Sequence, residues 1–141
     1  MIDGEIMQVD PDSLVTEVLQ LKHRDYRLIQ ICAANAGEGI DITYSFGKGY
    51  KMAGLRLSIL PDDEIVSISD IYAPAWLYEN EMHDLFGVKV KMMSTDYHGT
   101  LYRLKNKTPY RKETAASQPE KAGAQRPGNA AAQQPEKQEE K

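Results

Sequence analysis

Residues 76–90, WLYENEMHDLFGVKV, gather the side chains of this 141-residue chain that could do chemistry: Glu79, Glu81, His83 and Asp84, set between Trp76 and a Phe86-Gly87 pair. Glu79 and His83 stand four apart, so on a helix both could reach one divalent cation. A metal site needs three or four ligands, and the remaining candidates, Asp96 and His98, lie well down the chain. An acid–base site could pair His83 with Asp84 or Glu79, but neighbours in a helix do not face each other, and no Ser or Cys nucleophile motif accompanies them. A small metal-dependent hydrolase using Glu79 and His83 is the enzymatic alternative these residues keep open. Against it stand a helix with ordinary surface ion pairs and a surface that another protein reads.

The elements that position this run can be read from periodicity. Pro74 opens a helix in which Ala75, Tyr78, Met82, Leu85 and Phe86 share one face, assigned to packing on a sheet. Trp76, Glu79 and His83 fall along one flank, and Leu77, Glu81 and Asp84 along the other, with Gly87 as terminator. Both flanks mix large apolar groups with charge, which suits a contact surface better than a solvated face. Upstream, Asp10 as N-cap and Pro11 at the first position start a helix whose Leu14, Val18 and Leu21 recur at i, i+4 and i+7. YRLIQICAA then reads as a strand. Ile40, Ile42, Tyr44 and Phe46 alternate with polar residues in a second, Leu55, Leu57 and Ile59 in a third, and IVSISDIY offers a fourth. Clean alternation implies an antiparallel meander of three to four strands with helices on one face, an α+β fold.

Composition narrows the function. Cys32 is the only cysteine, so the chain cannot by itself build a disulfide, a thiolate zinc site or an iron–sulfur cluster. No stretch approaches the roughly 18 apolar residues of a membrane span, and the opening MIDGEIMQVD is acidic where a signal peptide would be basic. A cytoplasmic location is expected, with any membrane contact made through partners. Residues 1–112 read as the domain. Residues 113–141 hold no Leu, Ile, Val, Met or aromatic side chain, and such a low-complexity tail is expected to be disordered. Residues 1–87 carry 6 Lys/Arg against 15 Asp/Glu, whereas residues 88–112 carry 7 against 1. A basic arm from about residue 88 on an acidic body suits a protein that sits between partners. The arm interleaves Tyr97, Tyr102 and Tyr110 with Arg103, Lys105 and Lys107, but the acidic body would repel phosphates, so no nucleic acid is expected.

ENEMHDLFGV, Glu79 to Val88, resembles the signature of the 30-kilodalton subunit family of respiratory complex I, a Glu-x-Glu-x-x-Asp run that ends in an aromatic residue and Gly. The order of elements agrees over roughly residues 10–110. The resemblance is greatest to the short subunits of Ech-type energy-converting [NiFe] hydrogenases, which carry His where His83 stands and a short basic ending like GTLYRLKNKTPYRK. Asn80 occupies the place where an Arg often separates the two glutamates, and no GHPDLRRIL-like segment follows Gly87. The resemblance implies a subunit without catalytic, cofactor-binding or metal-binding residues of its own, the [NiFe] centre and Fe–S clusters lying in partners. Those partners would be a large catalytic hydrogenase subunit, a small Fe–S subunit and other hydrophilic subunits. The complex would couple ferredoxin-linked H2 evolution to ion translocation, with this chain peripheral on the cytoplasmic face of the membrane. The equivalent subunit of an NADH- or quinone-linked complex is the alternative within the family. The expected contact site is Trp76, Leu77, Glu79, Glu81, His83, Asp84, Phe86 and Gly87, with Tyr102, Arg103 and Lys105 of the arm.

Overall fold

The computed structural model describes residues 4–112, so expectations for the tail lie outside the described residues. The elements run β1 (Ile6–Gln8), one 3-10 turn (Pro11–Ser13), α1 (Leu14–His23), β2 (Arg27–Ala36), β3 (Gly39–Lys48), β4 (Lys51–Ile59), β5 (Glu64–Val66), α2 (Ala75–Phe86) and β6 (Lys89–Lys91). Strands β2, β3 and β4 form the antiparallel meander read from the alternation, with Tyr44 opposite Ile31 on one side and Leu55 on the other. This register puts Ile40, Ile42, Tyr44 and Phe46 on the buried face beside Leu55 and Leu57. Asp41, Thr43 and Ser45 point the other way and stay partly exposed. There the face is tied by polar bonds, Arg56 Nε donating to Thr43 Oγ1 at 3.2 Å and Ser58 Oγ to Asp41 Oδ1 at 2.7 Å.

Two expectations are corrected here. The fourth strand of the sheet is β1, which pairs parallel to β4 and makes the order β1-β4-β3-β2. Of IVSISDIY only Ile65 and Val66 are in a strand, β5, which pairs in parallel with β6 as a separate two-stranded sheet. The stretch cannot extend the meander because Ser67 and Ser69 turn inward to hydrogen-bond each other at 2.7 Å and to build a loop. The first helix also begins later than expected. Pro11–Ser13 form a 3-10 turn, Asp10 makes no side-chain cap bond, and α-helix starts at Leu14.

Both helices contribute to one core. Leu14, Val18 and Leu21 of α1 and Ala75 and Met82 of α2 are buried in the same cluster as the sheet's apolar face. Fully burying each of the Leu, Val and Met side chains contributes about 1.5–3 kcal/mol. The helix α2 ends at Gly87, whose φ of 73° lies in the left-handed region. Its N–H donates to His83 O at 3.0 Å and the Val88 N–H to Met82 O at 3.4 Å, a Schellman-type closure. A Cβ at Gly87 would also meet Thr108 Cγ2 and Arg111 Nη1 at 3.1 Å, so the arm passes directly over the turn.

Candidate functional site

The charged flanks of α2 are not free surface. Glu79 is 0% exposed, and its two oxygens accept from Ser67 Oγ at 2.6 Å and from the Ile68 N–H at 2.8 Å. Burial pushes its carboxyl above the ordinary range; the two hydrogen bonds act in the opposite direction and the nearby Asp70 charge adds to the rise. Glu79 thus pins the loop after β5 to the helix. It does not converge with His83, whose Nδ1 lies 2.9 Å from Val88 O and so must donate to it. Asp96 and His98 pair with each other in an exposed turn, His98 N–H to Asp96 Oδ1 at 2.7 Å. The metal-ligating pair of Glu79 and His83 therefore loses its geometry, because each side chain serves a different backbone segment.

The adjoining faces of α2 bind the arm. Asn80, buried, donates from Nδ2 to Trp76 O at 2.7 Å and to Thr95 O at 2.8 Å, and its Oδ1 accepts the Tyr97 N–H at 2.9 Å. Trp76 stacks on Tyr97 with ring centroids 5.7 Å apart. One turn on, Asp84 is 4% exposed and its Oδ2 accepts the Tyr102 N–H at 2.8 Å. Asp84 Oδ1 is buried without a hydrogen-bond partner among the described residues. Half-buried Glu81 accepts from the Tyr102 hydroxyl at 3.3 Å, and this carboxylate raises the phenol's pKa. At the end of the helix Phe86 meets Tyr110 edge-on at 5.6 Å, and the Tyr110 N–H donates to Leu85 O at 2.9 Å. The arm then reaches the β2–β3 hairpin, where Asn35 Nδ2 donates to Tyr110 O and Lys112 Nζ to Gly37 O.

Glu79 and Asp84 are thus corrected from surface carboxylates to internal ties. Trp76, Glu81, His83 and Phe86 are half-buried by the chain's own loops, and Gly87 is buried. Leu77, Tyr102, Arg103 and Lys105 are exposed. Beyond the expected set, Leu104 and Tyr110 are exposed on the same arm. Between the end of α2 and the arm lies a cleft of about 310 Å³, bounded by His83, Asp84, His98, Gly99 and Tyr102.

This architecture, a four-stranded sheet whose second helix carries a conspicuous acidic run, has relatives. The family model described as respiratory-chain NADH dehydrogenase, 30 Kd subunit, matches residues 7–120. The chain belongs to this family. Among solved structures, a chain of the membrane-bound sulfane sulfur reductase (MBS), an archaeal respiratory membrane complex, is similar at 20% identity and a TM-score of 0.67. The likeness covers 78% of this chain and 71% of that one, and it is a likeness of fold. No curated protein matches.

Within the 30 Kd subunit family framework the motif now has a physical account in this chain. Its polar positions are where three separate backbone segments are held: 67–68 by Glu79, 95–97 by Asn80 and 102 by Asp84. Asn80 was missed as a site residue in the sequence. The signal available was its position four residues after Trp76 and four before Asp84, one stripe of the helix. Among the described residues no helix is long and apolar enough to cross a membrane.

Proposed function

We propose that this 30 Kd-family chain is the structural and assembly subunit of an Ech-type energy-converting [NiFe] hydrogenase, peripheral on the cytoplasmic face of the membrane. In that role it packs against the large catalytic and small Fe–S subunits, which hold the metal centres, and touches the membrane only through them. The observation that carries the reading is the outward face of the arm. Met92, Tyr97, Tyr102, Leu104 and Tyr110 are all exposed there, joined by exposed Leu77 on α2 and by Arg103, Lys105 and Lys107. A tightly anchored segment that still presents large apolar and cationic groups outward has the composition of an interface, rich in aromatic residues and Arg. Rigid anchoring through Asn80 and Asp84 lowers the conformational entropy lost when a partner binds. His83 within the motif, the short basic ending and the missing GHPDLRRIL-like segment favour the hydrogenase branch.

A second reading has its own support. The family description names an NADH dehydrogenase subunit, which favours the equivalent place in an NADH- or quinone-linked complex. Affinity isolation of the tagged native chain from solubilised membranes, with mass-spectrometric identification of its partners, separates the two. Recovery with a nickel-bearing large subunit supports the hydrogenase assignment, recovery with a quinone-reducing set replaces it, and recovery of the chain alone overturns both.

A further inference from the structure

We propose that the cleft between the end of α2 and the arm is a socket for an arginine side chain from a partner subunit, received by Asp84 Oδ1 and His83 Nε2. The source of the arginine rests on the assembly reading above; the chemistry of the socket does not. Asp84 is 4% exposed, yet only Oδ2 has a donor, the Tyr102 N–H at 2.8 Å, and Oδ1 has none among the described residues. A buried carboxylate oxygen left bare is among the costlier defects a fold can hold, and it invites a cationic N–H donor. His83 supplies a second acceptor. Because its Nδ1 must donate to Val88 O, the neutral ring carries its lone pair on Nε2.

The two acceptors meet at Gly99. A Cβ placed there would lie 3.6 Å from His83 Nε2 and 4.0 Å from Asp84 Oδ1, so at this position no side chain stands against either atom. With φ of +78°, Gly99 also sits where other residues are strained. The cleft of about 310 Å³ is ample for a side-chain head group. Its electrostatics favour a cation: Glu81 and Asp84 both act on the Tyr102 phenol and raise its pKa. Of the nearby cations, Arg111 is engaged with Asp62 at 3.0 Å, and Lys107 on the cleft wall makes no bond to Asp84. A guanidinium suits two acceptors on different side chains better than an ammonium, since its planar fork presents several N–H groups in fixed directions.

The probe is methylguanidinium, titrated into the full chain while the His83 imidazole nitrogens and the Tyr102 amide are followed by NMR, with tetramethylammonium at equal ionic strength as control. Expected is a saturable shift of both signals with methylguanidinium, a weaker one with methylammonium and none with tetramethylammonium. Asp84→Asn keeps an oxygen for the Tyr102 N–H while removing the charge, and should weaken the methylguanidinium response about tenfold or more. Retention of the Tyr102 amide signal certifies that the arm is still docked. No response, an equal response to tetramethylammonium, or an equal or stronger one to methylammonium overturns the socket. A response lost in a chain truncated after Lys112 assigns the site to the tail and overturns it as well. Failure of the chain to co-isolate with any subunit would defeat the assembly reading and leave the probe result standing, so the two are told apart.

Discussion

Asn80 and Tyr97 are joined across 17 residues, the Tyr97 N–H donating to Asn80 Oδ1 at 2.9 Å while the same side chain donates to Thr95 O. One amide thereby supplies both an acceptor and donors to a segment with no secondary structure of its own. Asn80→Asp keeps the acceptor but turns a carboxylate oxygen toward the carbonyls of Trp76 and Thr95. Both Asn80→Asp and Asn80→Ala should destabilise the isolated chain by about 2 kcal/mol, measured by denaturant unfolding. Amide exchange should rise first at Tyr97. Unchanged stability would mean that the arm docks without this clamp.

Glu79 sets a pH dependence. Burial raises its folded-state carboxyl above the ordinary 4.5, so its contribution to stability is complete below that value and is lost as pH rises through the raised one. Glu79→Gln retains an oxygen for the Ile68 N–H and an amide for Ser67 Oγ, and it does not titrate. The variant's melting temperature should therefore lack the Glu79-dependent decline expected of the wild type on going upward from pH 4.5. A parallel pair of pH profiles would refute this.

Tyr44 carries a buried hydroxyl with no partner among the described residues. Burial, with the Glu79 charge adding, pushes its phenol far upward, so it stays protonated throughout. Removing an unsatisfied polar group while keeping the ring should help. Tyr44→Phe is expected to stabilise the domain by about 1 kcal/mol, a rise of several degrees in melting temperature. A loss of stability would point to a partner for the hydroxyl, such as a buried water.

Arg103 and Lys105 are exposed and make no hydrogen bond or ion pair among the described residues. Reversing both to Glu should change folding stability by less than about 0.5 kcal/mol. The same double variant should lower recovery of the chain with its complex, and more so at low salt, because mismatched charge at an interface acts chiefly on association. Wild-type recovery would remove these two residues from the contact site.

The parts of this fold legible in the sequence are those whose partners are near or whose pattern is strict. Ile40, Ile42, Tyr44 and Phe46 declare a half-buried strand by alternation alone, and Leu14, Val18 and Leu21 declare a helix face by spacing. Strand β1 is illegible because three residues cannot show a period and their partner, β4, is some 48 residues away, Ile6 opposite Gly54. The burial of Glu79 and Asp84 was illegible for another reason. A periodicity argument assigns charge to solvent, whereas both carboxylates are bound by backbone N–H groups of Ile68 and Tyr102, whose arrival only the tertiary path decides. The mixture of apolar and charged groups on the helix flanks reads in the sequence as a surface for another protein, whereas Trp76, Asn80 and Asp84 are engaged by the chain's own arm.

The arm's place in the chain also fixes when it can act. Ribosomal synthesis proceeds from the N-terminus, and domains tend to form as their residues emerge. The sheet and α2 are complete by Phe86, yet Asn80 and Asp84 wait for Thr95, Tyr97 and Tyr102, and the lock onto the hairpin waits for Lys112. Until then the nascent chain exposes two polar side chains and Trp76 on an uncovered helix. The exposed groups of the arm are thus the last part of the described fold to be set in place, the bond from Lys112 to the hairpin forming only after every strand and helix has emerged.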